Sequence, residues 1–328
     1  MDGLVQNITS MNLSYPSEKI NIKPFSQERK AVLILGNGFD LCAGLDSKFS
    51  SFAKGGYWPL KGNYPHGSLP HHLNQRKQLE TWFDLEQELF KYAHEYNSQV
   101  NISNLEVDQK AFEDIHNAFS DYLKNQVECF EPSSNLPNTI IQFFQLMPGR
   151  NKVIFTFNYT DPADIIRKMK GELKVPVRYV HGNLKDDNII LGVGDHNELH
   201  NKYHFLYKAM SKYYKSTDIV AELEASDDVF IFGHSMGIND YDYFNNFFLR
   251  ACESRKGFQP DLRITLFTKS DDEQITIKTR IRELADKKLQ RLINMCEFNI
   301  ISTNNIDNVL SYIQEYIKRA IEEHNKMS

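Results

Sequence analysis

A parallel sheet with helices on both faces, interrupted by a helical insertion, is the α/β fold that this sequence predicts. Two observations point to it. Short runs of β-favouring apolar residues alternate with amphipathic helical stretches along most of the chain, the pattern of strands buried on both faces and joined by crossover helices. Polar segments containing glycine follow several of those runs directly, as strand-to-helix loops do in such sheets.

The first run, Ala31 to Leu35, turns at Gly36-Asn37-Gly38, and a helix is expected from there through about Phe52. Lys54 to His72 is rich in Gly, Pro and polar residues and reads as a long surface excursion. Helices are expected at Thr81 to Tyr96 and Asp108 to Cys129 with no strand between them, so that 55–137 forms a loop-rich and helical insertion. Alternation returns at Asn138 with a helix through Met147, a strand at Lys152 to Phe157 and a helix after Asp161. Strands are expected at Pro176 to Gly182 and Asn188 to Val193, then helices between Glu198 and Tyr214, then a strand at Val229 to Phe232. The last third reads as helix (Asp240 to Ser254), strand (Arg263 to Thr268), helix (Asp271 to Leu289), strand (Cys296 to Ile301) and a terminal helix from Asn305. The expected organisation is an N-terminal arm, 1–28, followed by a single domain, 29–328.

Composition narrows the function classes. A net charge of -5 over 328 residues, with the basic residues dispersed, excludes the basic surface that direct nucleic-acid binding needs. Cys42, Cys129, Cys252 and Cys296 stand alone, without the C-x-x-C pairs of a zinc module or the spacing of a disulfide framework, and read as reduced thiols. The start lacks a leader pattern and no apolar run approaches the roughly twenty residues that a bilayer requires. A cytoplasmic protein off the membrane is expected. Self-association and an activating partner are left open.

Ligands of such sheets bind where strands lead into helices. The loops there read Gly36 to Asp40 (GNGFD), Phe157 to Asp161 (FNYTD), His181 to Asn183 (HGN), Gly192 to Asp195 (GVGD) and Gly233 to Asp240 (GHSMGIND). Gly36 and Gly38 allow positive φ and close backbone approach, and the helix after them offers unpaired N–H groups to an anion such as a phosphate. Asp40, at the start of that helix, has a capping or dipole role as its plain reading.

Gly-His-Ser-Met-Gly after an apolar strand also matches the way a serine hydrolase presents its nucleophile, here Ser235. That enzyme class needs a later histidine, and only His324, near the end of the chain, follows. Ser235 therefore reads first as a donor lining a nucleotide site, with Asp240 capping the next helix. His196, His200 and His204 would share one face of a helix, but without an acidic partner at metal-site spacing no metal is expected. Trp82 reads as a packed aromatic and Glu86 first as a solvated helix carboxylate, the alternative for Glu86 being a place at the ligand.

Together, "LILGNGFDLCAGLDSKFSSF", "WFDLE", "FTFNYT", "YVHGN", "IILGVGD" and "IFGHSMGINDYDYF", in order from Leu33 to Phe244, resemble the AbiH family of bacteriophage abortive-infection proteins and, more distantly, the sirtuin-like NAD-binding fold. The resemblance implies a Rossmann-like domain and a role in antiphage defence. It implies NAD, as substrate, or a related nucleotide held by Gly36, Asn37, Gly38, Phe39, Asp40, Thr156, Tyr159, Gly233, His234, Ser235 and Asp240. It also places the sirtuin-like asparagine at Asn158 and the histidine at His181, as catalytic residues of an NAD+ hydrolase that releases nicotinamide from ADP-ribose. Asn158 would orient the ribose or a water, and His181 would serve as base. The missing zinc module points away from protein deacylation. The alternatives are a nucleotide sensor without turnover and a serine hydrolase using Ser235.

Overall fold

The computed structural model describes residues 29–79, 84–95, 104–149, 151–253 and 262–327. The arm expected at 1–28 lies outside these residues, as does Trp82. Six strands, β1 (Ala31–Leu35), β2 (Lys152–Thr156), β3 (Val177–Tyr179), β4 (Asp228–Phe232), β5 (Arg263–Thr268) and β6 (Glu297–Ser302), pair in parallel throughout. Their order is β3-β2-β1-β4-β5-β6, the doubly wound Rossmann-like arrangement that the sequence predicts. The winding reverses between β1 and β4, which opens a crevice at their carboxyl ends.

Side chains alternate across the pleat, so each central strand feeds two cores. Leu33 and Leu35 of β1 pack on one face with the helices Leu136–Leu146 and Ile306–Met327, around Phe143, Phe144, Tyr312 and Tyr316. Val32 and Ile34 pack on the other with the helices Tyr241–Ala251 and Asp271–Leu284, around Phe247, Phe248 and Ile281. Burial of strand residues on both faces explains why their runs are continuously apolar.

A third core belongs to the insertion. The 25-residue helix Leu105–Cys129 buries Ala111, Ile115, Phe119, Tyr122 and Leu123 along one stripe, against Leu85, Leu89 and Tyr92 of the helix Leu85–Glu95. The stretch expected to be a surface excursion joins this core: Trp58 is 2% exposed, Leu60 3%, and Leu69 and Leu73 of the helix Leu69–Leu79 are fully buried. Its glycines and prolines shape a path between aromatic anchors. The helix expected from the first loop through Phe52 is two, Asn37–Ala43 and Phe49–Lys54, because Gly44 turns left-handed at φ 104°.

Two further expectations are corrected. Asn188 to Val193 is not a strand of the sheet. Its apolar residues Ile189, Leu191 and Val193 face the insertion's core, and its backbone bonds cross to loops: the Ile190 N–H to the His181 carbonyl at 2.8 Å and the Val193 N–H to the Leu206 carbonyl at 2.8 Å. Between Glu198 and Tyr214 the expected helices are two short 3₁₀ segments, Asn201–Leu206 and Lys208–Met210. Burial of Tyr203 and Leu206, three residues apart, imitates a helical period there. No described helix is long and apolar enough to cross a membrane.

At the amino ends of the strands the sheet carries charge. Asp228, Arg263 and Glu297 begin β4, β5 and β6, and the strand register sets them side by side. Arg263 Nε lies 3.3 Å from Glu297 and its Nη1 3.9 Å from Asp228, which also accepts from Arg29 Nε at 2.6 Å. All four side chains are buried. Removing one member of a buried ion network leaves its partners uncompensated. Arg263→Met is therefore expected to lower stability by about 3–5 kcal/mol, read as a lower midpoint of urea denaturation with an unchanged slope.

Candidate functional site

The loops after β1, β2, β3 and β4 meet at the crevice, and they meet backbone to backbone. The Gly38 N–H donates to the Gly233 carbonyl at 2.8 Å and the Gly36 N–H to the Phe232 carbonyl at 3.0 Å. A Cβ on Gly233 would lie 2.4 Å from the Phe39 nitrogen and 2.6 Å from the Gly38 Cα, and one on Gly36 would lie 2.5 Å from the His234 Cα. Gly233, at φ 68°, is the left-handed residue of this contact, whereas Gly36 is extended at φ -122°. The glycines thus serve the contact between two loops, and the Gly38 amide expected to face a phosphate is engaged by a protein carbonyl. Exposed Asn37 accepts a hydrogen bond from Ser47, and Phe39 is buried in the core.

Asp40 does not cap its helix. Its carboxylate is 1% exposed and accepts from Asn158 Nδ2 at 2.8 Å and Thr160 Oγ1 at 2.7 Å. The bend after β2 brings both residues to the same carboxylate, and Thr156 Oγ1 accepts from the Asn158 N–H at 3.1 Å. Burial pushes Asp40 up to about 7 against the two hydrogen bonds, which favour the charge.

The second half of the site centres on Asp240. It precedes the helix Tyr241–Ala251 but makes no side-chain cap; its carboxylate turns to two histidines and a lysine. Oδ1 lies 2.9 Å from His181 Nε2 and 3.4 Å from Lys208 Nζ, and Oδ2 lies 3.3 Å from His234 Nε2. Burial alone would raise Asp240, but Lys208 and hydrogen bonds from both histidines hold it well below the usual carboxylate range.

Lys208 Nζ is 3.1 Å from Glu86 Oε2 and 3.2 Å from His181 Nε2. Burial works against its charge, yet Asp240 and Glu86 raise it above the ordinary lysine value, so the ammonium persists. Glu86 is pushed up to about 7 by burial, opposed by Lys208 and reinforced by Asp240 and Asp84. Burial lowers His181 to about 4, helped by Lys208 and opposed by its hydrogen bond to Asp240, so the imidazole is neutral at pH 7.

Hydrogen bonds assign the tautomers. His234 Nδ1 accepts from the Met236 N–H at 3.0 Å, which puts the ring proton on Nε2, toward Asp240. Met236 adopts φ 54°, a strained conformation for a long side chain, and is kept there by burial of that side chain in the second core. In His181 the shorter Nε2 contact is to a carboxylate that can only accept, so we assign its proton to Nε2. Nδ1 then carries a lone pair, and this buried atom has no hydrogen-bond partner. Phe157 separates the two imidazoles, with ring centroids 5.3 Å from His181 and 4.3 Å from His234.

The structure therefore brings Asn158 with Asp40, and His181 with His234 and Asp240. Tyr159 donates from its hydroxyl to the Ile190 carbonyl at 3.1 Å and packs against the insertion. Ser235 stays apart: it is exposed, its hydroxyl makes no hydrogen bond, and both nitrogens of neighbouring His234 are engaged elsewhere, so no hydrolase triad forms around it. His196, His200 and His204 do not converge: one stacks on Tyr241, one accepts from the Lys202 N–H, and one packs on Tyr207. No group of side chains suited to hold a metal ion occurs among the described residues.

Lys208 and Thr160 were not singled out by sequence reasoning, and Glu86 was read first as solvated. The Asn-x-Thr spacing in FNYT was a usable signal for Thr160. Glu86 had only its place in WFDLE, and Lys208, within LYKAM, had none.

The fold and this cluster define a class: a doubly wound α/β protein with a buried acid–base cluster at the topological switch point. The chain matches the family described as "Bacteriophage abortive infection AbiH" over residues 32–257, a span that takes in every residue of the cluster. It belongs to the AbiH family of bacteriophage abortive infection proteins, and this membership implies a role in abortive infection. No curated protein matches the chain.

The Asp40 carboxyl makes the site visible in stability. Its ordinary value is 3.8 and its folded value about 7, so between them the folded state holds the extra proton. Its contribution therefore falls as pH rises through that window, by about 1.4 kcal/mol per unit. His181 has the opposite sign: lowered from 6.5 to about 4, it costs stability as pH falls through its own window. Asp40→Asn is expected to lack the fall of about 1.4 kcal/mol between pH 5 and 6 that Asp40 gives the wild type, in urea denaturation at both values. Equal pH slopes in the two proteins would mean that Asp40 ionises at its ordinary value.

Proposed function

We propose that this chain is an NAD+ glycohydrolase acting in abortive infection, with His181 as general base and Asn158 orienting the ribose or the attacking water. The observation that carries this reading is His181 itself: buried, neutral, anchored through Nε2 on Asp240, and holding an unpartnered lone pair at Nδ1. That is the arrangement of a base oriented by a carboxylate, at the crevice where doubly wound sheets take nucleotides.

In the reaction, water adds its oxygen to the anomeric carbon of the nicotinamide ribose and the N-glycosidic bond breaks, its electron pair leaving with nicotinamide. The water proton passes to His181 Nδ1, and the imidazolium that forms rests on Asp240. Asn158, fixed by the Asp40 carboxylate, presents its amide without adding charge to a centre that develops oxocarbenium character. Lys208 and His234 keep Asp240 ionised through the cycle.

A second reading, nucleotide binding without turnover, draws support from the low basicity of His181, which burial lowers to about 4. One assay separates the two. Purified protein incubated with NAD+ is expected to release nicotinamide, followed by chromatography. His181→Ala should lower the rate by about 10²–10⁴-fold, and Asn158→Ala should lower it as well. Release that persists unchanged in both variants would refute the assignment. No release, with a melting temperature raised by NAD+ or ADP-ribose, would establish the sensor.

A further inference from the structure

The helix Leu85–Glu95 belongs to the insertion, yet it sends one side chain into the site. Glu86 Oε2 lies 3.1 Å from Lys208 Nζ and 3.4 Å from Asn239 Nδ2, and Asn239 Oδ1 in turn accepts from Asn197 Nδ2 at 3.1 Å. The helix does not need this contact to stay in place. Leu85, Leu89 and Tyr92 are buried in the insertion's core, the Tyr92 hydroxyl donates to Asp108 at 2.7 Å, and Glu88 is held by Lys91 at 2.6 Å and Arg76 at 2.9 Å.

The charges of the cluster do not balance with Glu86 ionised. Lys208 supplies one positive charge, and Asp240 alone neutralises it. A second carboxylate leaves a buried excess of one negative charge, which is costly in a low-dielectric setting. The side chains of Glu86 and Asp240 are 13% and 16% exposed and that of Lys208 only 5%, so solvent reaches the two acids more readily than the ammonium. His181 Nδ1, the buried atom without a partner, belongs to a ring that touches the same ammonium through Nε2 at 3.2 Å.

We propose that the Glu86 carboxylate is a built-in occupant of the ligand's anion site, seated on the Lys208 ammonium and the Asn239 amide where the diphosphate of a nucleotide binds, and that the ligand enters by displacing it. The inference rests on the nucleotide reading above and adds its regulation: the insertion holds the site in a self-occupied state. It also supplies a phosphate contact away from the Gly36–Gly38 loop, whose Gly38 amide is already taken. The groups facing Glu86 are Lys208, Asp240, Asp84 and Tyr159. With Glu86 titrating near neutrality, its competition weakens as pH falls from 8 to 6.

The test is calorimetric binding of ADP-ribose, whose diphosphate stays ionised over that range, to the full-length wild type and to Glu86→Gln. At pH 8 the variant should bind at least about tenfold more tightly. Wild-type affinity should rise toward the variant's at pH 6, and Lys208→Met should abolish the gain in a Glu86→Gln background. A folded Glu86→Gln that binds no more tightly than wild type at pH 8 overturns the proposal. If the variant does not fold, a wild-type affinity that does not rise between pH 8 and 6 overturns it equally. Binding is measured without turnover, so a failure of the glycohydrolase reading leaves this result standing, and loss of ADP-ribose binding in every protein would refute both.

Discussion

A buried ammonium holds this site together. Lys208 opens a short 3₁₀ turn whose backbone is tied to Val193, and it stays charged because Asp240, on the loop after β4, and Glu86, on the insertion, lie within 3.4 Å. The charge joins three parts of the chain that are distant in sequence, and each depends on it in turn. Asp240 stays ionised because Lys208 is charged, His181 stays neutral because it is buried and the ammonium adds to that effect, and the histidine orientations follow from the carboxylate. Such a cluster is a single unit in which no member has a fixed character alone.

The sheet was legible in the sequence because burial on both faces writes itself into composition. Ala31 to Leu35, Lys152 to Thr156 and Asp228 to Phe232 contain almost nothing but strand-forming apolar residues. The same rule misled at Asn188 to Val193, where the apolar residues are buried by helices of the insertion and not by neighbouring strands. Burial is written in sequence; the identity of the burying partner is not. Asn158, His181 and Asp240 were legible because they follow strands at short range. Lys208 was not, since a lysine acquires its role from acids 32 and 122 residues away, and nothing near it in the chain marks that it is buried.

The glycine loop teaches a related lesson about motifs. Gly-Asn-Gly after a first strand suggests a phosphate cradle because glycine lets something come close. Here what comes close is the Gly233–His234 backbone, and the outcome is a rigid junction between the loops after β1 and β4. That junction fixes where Gly233 ends and His234 begins, and with Met236 held at positive φ it sets the imidazole at its hydrogen-bonding distance from Asp240. Preorganisation of the histidines is thus built from backbone contacts on one side and a buried methionine on the other.

At the opposite end of the sheet, Asp228, Arg263 and Glu297 alternate in sign across three adjacent strands. Because every residue of β4 and β5 is buried, apolar side chains would still be buried if a parallel strand slid by one residue or by two. The charge row forbids both errors, because such a shift of β5 would move Arg263 out of line with both acids and leave them buried against apolar neighbours. Electrostatics at the amino ends therefore proofreads an alignment that hydrophobicity leaves ambiguous. The carboxyl ends are freed from that task, and their loops can be given over to chemistry.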